Sequence, residues 1–329
     1  MTKLGPHSTI IITVIIIVAS VTTIIIIASA SPWFLSDTKP KLNAACPFVD
    51  KCRIAFISPT FTYAAYHKSF YKFYFVYASI PHARKNVTTD LNLLSSNVNN
   101  QTSRSSSALS IPYLAKHLRV VFAGSTIKVL TDAAADNNNS IFFDNGTNRF
   151  DLILLGHQEY VTQREYSNLK HFVAEGGTLI LLDGNVFYAE VKYDRNSHAI
   201  TLVKGHGWAY NGKSAWRSIG ERWANETSNW VGSNYLCYSC KVTIPRNAFQ
   251  YRHHEEQRVT NPNDQIILNY NASIGKKNSN PPTRILVATY VLNYQKGKVI
   301  DLGIYSDDLV SDKKFGKFFD SLLSRGMKT

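Results

Sequence analysis

The short stretch "GHQEY" (156–160) holds an imidazole, a carboxylate and a phenol: His157, Glu159 and Tyr160. Side chains two apart on an extended chain point to the same side. His157 and Glu159 would therefore converge, ready to ligate a metal or to move a proton. The same pattern also serves to bond loop backbone or to cap a sheet edge. "HHEE" (253–256) reads either as a divalent-metal site or as a polar loop or edge strand. Asp307 and Asp308 either line the same crevice or lead a helix whose dipole they complement. Tyrosines at 63, 66, 71, 74 and 77 stack a sugar, face a partner or pack against a sheet.

The elements that must position these residues are legible. "DLILLG" (151–156) is a continuous apolar run, as a doubly covered strand requires. Thr162 and Glu165 have capping-box spacing, Tyr166, Leu169, Phe172 and Val173 share one helical face, and Gly176-Gly177 ends the helix. "TLILLDGN" (178–185) is the next buried strand. Strand, helix and strand form a right-handed βαβ unit, so the sheet is parallel here. "RIAFISPT" (53–60) and "TIKVLTD" (126–132) are further strands, and 111–121 carries a helix signal. Residues 85–110 and 133–148 read as polar loops. Residues 284–308 read as a hairpin rejoining the sheet, and 312–326 as a closing amphipathic helix with Phe315, Phe318, Phe319, Leu322 and Leu323 on its apolar face. Residues 195–282, with four tryptophans, read as a β-rich insertion.

In such a sheet, ligands bind beyond the carboxyl ends of the strands. The turn Asp183-Gly184-Asn185-Val186 stands where glutamine-amidotransferase-like folds carry a nucleophilic cysteine. It has no Cys, Ser or Thr, which argues against acyl transfer through a covalent intermediate there. Asn185 either offers its amide to a ligand or stabilises the turn.

Residues 8–36 contain no charged side chain, and 9–30 are long enough to span a bilayer. Lys3 ahead of the run puts residues 1–8 in the cytoplasm and the remainder outside. Ala28-Ser29-Ala30 also resembles a cleavage site, so single-pass anchor and long signal peptide both stand; either one exports residues 51–329 behind a linker at 31–50. Six sequons agree with export: Asn86, Asn100, Asn138, Asn145, Asn225 and Asn271. Cysteines 46, 52, 237 and 240 form two close pairs, Cys46/Cys52 and Cys237/Cys240, suited to small disulfide loops; a four-thiolate zinc site is the alternative. The formal charge of +13 is scattered, without a dense basic block or a DNA-reading helix. No nucleic-acid partner is expected; the charge fits a solvated basic surface or an anionic one opposite it.

The block "DLILLGHQEYVTQREYSNLKHFVAEGGTLILLDGNVFYAEVKYD" resembles the core of the N,N-dimethylformamidase large-subunit family: a strand, Gly-His-x-Glu-Tyr, a helix ending in Gly-Gly, and a strand ending in Gly-Asn before an aromatic pair. Upstream, Thr60, Thr62, Tyr63, Ala65 and Tyr66 match the family's Thr-x-Thr-aromatic-x-Ala-Tyr pattern, and "GKVIDLGIYSDD" matches its last core strand. The resemblance implies a three-layer α/β sandwich with a mostly parallel, class I glutamine-amidotransferase-like sheet. It also implies a mononuclear iron held by two tyrosinates and a glutamate, with a histidine nearby. Glu159 matches the glutamate, His157 the histidine and Tyr66 one tyrosine; Tyr113 and Tyr63 are the candidates for the second. Two functions are expected on these grounds. One is a membrane-anchored, iron-dependent hydrolase of small-molecule amides; the other is a non-catalytic domain binding a ligand or partner at the cell surface.

Overall fold

The apolar runs of the sequence become the inner strands of a seven-stranded sheet. The computed structural model describes residues 52–66, 70, 88–91, 106–182, 184, 186–205, 221–235, 257–273, 285–302 and 313–325. In chain order the elements are β1 (Arg53–Ser58), α1 (Thr60–Tyr66), β2 (Thr88–Asp90), α2 (Ser106–Val121), β3 (Thr126–Thr131), α3 (Asp132–Ala135), α4 (Asn138–Ile141), β4 (Leu152–Leu155), β5 (Tyr160–Val161) and α5 (Gln163–Ala174). They continue as β6 (Thr178–Leu181), β7 (Ala189–Asp194), β8 (Ala199–Gly205), α6 (Ala224–Trp230), β9 (Ser233–Tyr235), β10 (Gln257–Val259), β11 (Gln265–Ser273), β12 (Ile285–Tyr294), β13 (Gly297–Asp301) and α7 (Lys313–Arg325).

The main sheet runs β11-β12-β13-β6-β4-β1-β3. The five strands from β13 to β3 are parallel, and β12 and β11 add an antiparallel edge. Alternation sends successive side chains to opposite faces. Ile54, Phe56, Leu152, Leu154 and Ile180 meet Leu114 and Leu118 of α2 and Phe319, Leu322 and Leu323 of α7. Ala55, Ile57, Ile153, Leu155, Leu179 and Leu181 meet Tyr166, Leu169, Phe172 and Val173 of α5. Helices thus cover both faces, which is why these strands are apolar throughout.

Strand β1 lies between β3 and β4. Its continuation leads through α2, on one face, to β3, whereas β4 continues through α5, on the other face, to β6. Two neighbouring strands whose connections depart to opposite faces leave a crevice at their carboxyl ends. A second sheet, β2-β8-β7-β5, stands beside that crevice. It packs on α1 through Phe61, Ala64, Ala65, Tyr160, Val191 and Ile200.

Several expectations change. Helix α2 begins at Ser106, inside the stretch expected to be a polar loop, and β2 lies in that stretch too. The expected loop 133–148 contains α3 and α4, whose starts are capped by Thr131 Oγ1 and Asn137 Oδ1; polar side chains here build helix ends. The capping box at α5 is only half formed. Thr162 Oγ1 accepts from the Glu165 N–H at 3.0 Å, but the Glu165 side chain turns inward and is buried. The last core strand ends at Asp301, and the residues after Leu302 up to 312, Asp307 and Asp308 among them, lie outside the described residues. Within 195–282, β11 pairs with β12 on the main sheet. No helix among the described residues is long and apolar enough to cross a membrane; the run 9–30 lies outside them.

Candidate functional site

The site is assembled from two chain segments at the switch crevice. Helix α1 leaves β1 and brings Tyr66; the segment after β4 brings His157 and Glu159. Tyr66 Oη lies 2.9 Å from His157 Nε2 and donates a hydrogen bond to Glu159 Oε2. His157 Nε2 and Glu159 Oε2 are 3.3 Å apart. Glu159 is fully buried, His157 is buried and Tyr66 is partly exposed. A phenol, a carboxylate and an imidazole therefore meet at one point with only the phenol side open to solvent.

The alternation at 157–159 makes this convergence. His157 and Glu159 face Tyr66, while Gln158 between them points the other way. Its Nε2 donates to the Ile57 carbonyl at 2.7 Å and reaches Asp132 Oδ1 at 3.4 Å. The backbone is held as well: Phe187 N–H donates to Gln158 O at 2.8 Å, and Tyr188 and Ala189 N–H both donate to Glu159 O. Phe187 takes φ +56 to do so, a conformation rare for a bulky residue. Its ring is held edge-on to Tyr166 and tilted against Trp230, and such packing sustains local strain.

The threonines of the upstream motif have structural tasks. Thr60 Oγ1 donates to Asp132 Oδ2 at 3.1 Å, and Thr62 Oγ1 accepts from Tyr160 N–H at 3.2 Å. Asp132 Oδ2 also accepts from Phe61 N–H at 2.6 Å. Tyr160 is fully buried and stands edge-on to both Tyr66 and Phe70, so its ring walls the site.

Asp132 is buried against Glu165. Burial pushes the Asp132 carboxyl up to about 7, opposed by hydrogen bonds from Phe61 N–H and Thr60. Burial, and then the Asp132 charge, push Glu165 well above the ordinary carboxylate range. Neither acid stood out in the sequence: Asp132 is one polar residue after a strand, and Glu165 has an ordinary place in a capping motif.

The remaining candidates separate. Tyr63 is buried in α1. Tyr113 belongs to α2, but its side chain lies outside the described residues, as do Asn185 and "HHEE". Of the cysteines, Cys46, Cys237 and Cys240 lie outside them, while Cys52 is buried at the entry to β1. Asn138, Asn145 and Asn225 are exposed; Asn86, Asn100 and the Asn271 side chain lie outside the described residues. No group of three or more His, Cys, Asp or Glu side chains fit to hold a metal occurs among the described residues. A set built on a tyrosinate is of a different kind. With the phenol proton given up to a cation, Tyr66 and Glu159 would offer two hard oxygens with an imidazole alongside, a donor set that fits the Fe(III) the resemblance implies.

Among solved structures, a putative ThuA-like protein from Bacteroides uniformis is similar at 11% identity and TM-score 0.42, over 86% of this chain and 93% of that one. A catalytic mutant of Gan42B, a GH42 beta-galactosidase from G. stearothermophilus, is similar at 13% identity and TM-score 0.41, over 82% of this chain. A beta-galactosidase from Halorubrum lacusprofundi follows at 12% identity and TM-score 0.40, over 84% of this chain. The chain spans 30% of the length of each galactosidase. Scores this low leave fold and activity untouched. No curated protein matches the sequence. The family model described as N,N-dimethylformamidase beta subunit-like, C-terminal, matches residues 29–292, most of the chain. The chain belongs to that family.

Proposed function

We propose that this protein is a metal-dependent hydrolase of amide-type C–N bonds, with iron held by Tyr66 and Glu159. The observation that carries the reading is the meeting of Tyr66 Oη, Glu159 Oε2 and His157 Nε2 at the carboxyl ends of β1 and β4. Bound iron would supply Lewis acidity to an amide carbonyl and acidify a water. Glu159, fully buried, would offer its carboxylate to the cation, and Tyr66 would contribute the second oxygen. His157 Nε2, beside both, is placed to hold the proton that a leaving amine requires. Tyr113 stands as the second tyrosine of the proposed set.

The parallel strands and the switch crevice support a glutamine-amidotransferase-like classification of the sheet. The uncharged run 9–30 and the exposed sequons Asn138, Asn145 and Asn225 support export and membrane anchoring, with disulfides Cys46–Cys52 and Cys237–Cys240.

A second reading rests on the Tyr66–Glu159 hydrogen bond itself. It pairs Tyr66 Oη with Glu159 Oε2 without a ligand, as a clasp in a non-catalytic binding domain at the cell surface would need. Elemental analysis decides between the two. The full-length chain, purified in detergent, is expected to carry iron at one equivalent, to lose it in Glu159→Ala, and to hydrolyse N,N-dimethylformamide. A metal-free wild type that takes up no iron on reconstitution overturns the hydrolase.

A further inference from the structure

Outside the triad, one side chain touches both segments that form it. Asp132 Oδ2 accepts from the Phe61 N–H at 2.6 Å and from Thr60 Oγ1, at the start of the helix that presents Tyr66. Asp132 Oδ1 faces Gln158 Nε2 at 3.4 Å, in the residue between His157 and Glu159. Gln158 in turn holds the end of β1 through the Ile57 carbonyl. We propose that Asp132, braced by Glu165, is the positioning residue of the site, fixing α1 and the 157–159 segment relative to each other.

The brace depends on a proton. Asp132 and Glu165 are both fully buried, and the Glu165 oxygens have no hydrogen-bond partner among the described residues except through this pairing. The groups facing the pair are Thr60, the Phe61 N–H, Gln158, the Thr162 region and Asp136. Asp136 is a third acid, and its charge is taken up by Arg164 and Arg195 and by Thr162 Oγ1 at 2.7 Å. With no cation facing Asp132 and Glu165 among the described residues, burial and like charge together oppose ionising both carboxyls. Glu165 keeps the proton and donates it, leaving Asp132 an acceptor for Phe61 and Thr60. As pH rises and that proton leaves, the like charges push Asp132 from its place, and Tyr66 and Glu159 separate. This inference rests on the proposed function only for its consequence in iron binding; the brace itself is a property of the metal-free chain.

The test is hydrogen exchange by mass spectrometry on the metal-free full-length chain, with rates corrected for intrinsic pH dependence. Protection of 60–66 and 157–161 is expected to fall together on the alkaline side in the wild type. Glu165→Gln, which donates without ionising, is expected to keep protection there. Asp132→Ala should exchange both segments about tenfold faster at all pH values, the least that loss of a charge-assisted hydrogen bond would give. Asp132→Asn, which retains an acceptor, should restore most of the protection. Identical alkaline profiles in wild type and Glu165→Gln overturn the proposal, as does a folded Asp132→Ala with both segments still protected. Iron uptake, measured after reconstituting the wild type and the same variants, separates the two readings. If the wild type takes up no iron, the hydrolase fails while the exchange result stands; if it takes up iron and the variants leave exchange unchanged, only the brace fails.

Discussion

Replacing Tyr66 by phenylalanine removes one oxygen from the centre of the site and leaves the ring in place. The ring keeps its edge contacts with Tyr160, at 6.2 Å between centroids, and with His157, at 5.7 Å. What is lost is the hydrogen bond donated to Glu159 Oε2 and the 2.9 Å contact with His157 Nε2. A hydrogen bond to a carboxylate is worth roughly 1.5–3 kcal/mol net, and the contact with the imidazole about 1 kcal/mol. Part returns, because His157 and Glu159 are 3.3 Å apart and can pair directly. The balance is a loss of about 3 kcal/mol in the metal-free protein, or roughly 6–10 °C in melting temperature for a domain of this size. The assay is denaturant unfolding of the metal-free full-length chain. Wild type, Tyr66→Phe, Glu159→Gln and the double variant close a cycle, and the coupling energy should exceed about 1 kcal/mol. A single-variant loss below about 0.5 kcal/mol, or strict additivity in the cycle, would mean that the three groups do not act as a unit.

Three further outcomes follow from local geometry. Thr62→Val takes the acceptor from the buried Tyr160 N–H and should lower stability by about 1–3 kcal/mol in the same unfolding assay. Gly297→Ala drives a methyl group into the carbonyl oxygens of Val173 and Gly177, both backbone atoms that cannot step aside; about 2 kcal/mol or more should be lost, read as a lower denaturation midpoint. Asp264 is partly buried, and burial raises its carboxyl to about 7. A folded value above the unfolded one (about 4) means that the protonated form favours folding. Its stabilising share is full below about pH 4 and lost as pH rises through about 7. Asp264→Asn should therefore be more stable than wild type above neutrality and closer to it in acid, as melting curves across pH would show.

The sequence was legible where a single periodicity or a local rule sufficed. Runs such as Leu152–Leu155 and Thr178–Leu181 are buried on both faces, so no competing pattern hides them. The helix from Gln163 to Ala174 shows its apolar face, its Thr162 cap and its glycine stop, with Gly176 at φ +101. Alternation alone put His157 and Glu159 on one side, and the aromatic motif brought Tyr66 into consideration. Short helices α3 and α4 escaped notice because caps and turns use the same Asn and Asp residues as loops.

Sequence by itself determined the parallel strands of the main sheet, the main helix and the direction of two side chains. Only the tertiary structure decided that Tyr66 meets them, because that contact joins residues 66, 157 and 159 across a crossover whose face and neighbour are set by packing. Only it revealed Asp132 beside Glu165. A buried acid costs free energy unless a partner or a proton offsets its charge, and that partner lies in another element. The chemistry of this protein is thus written in short motifs, but its positioning is a property of the packed sheet.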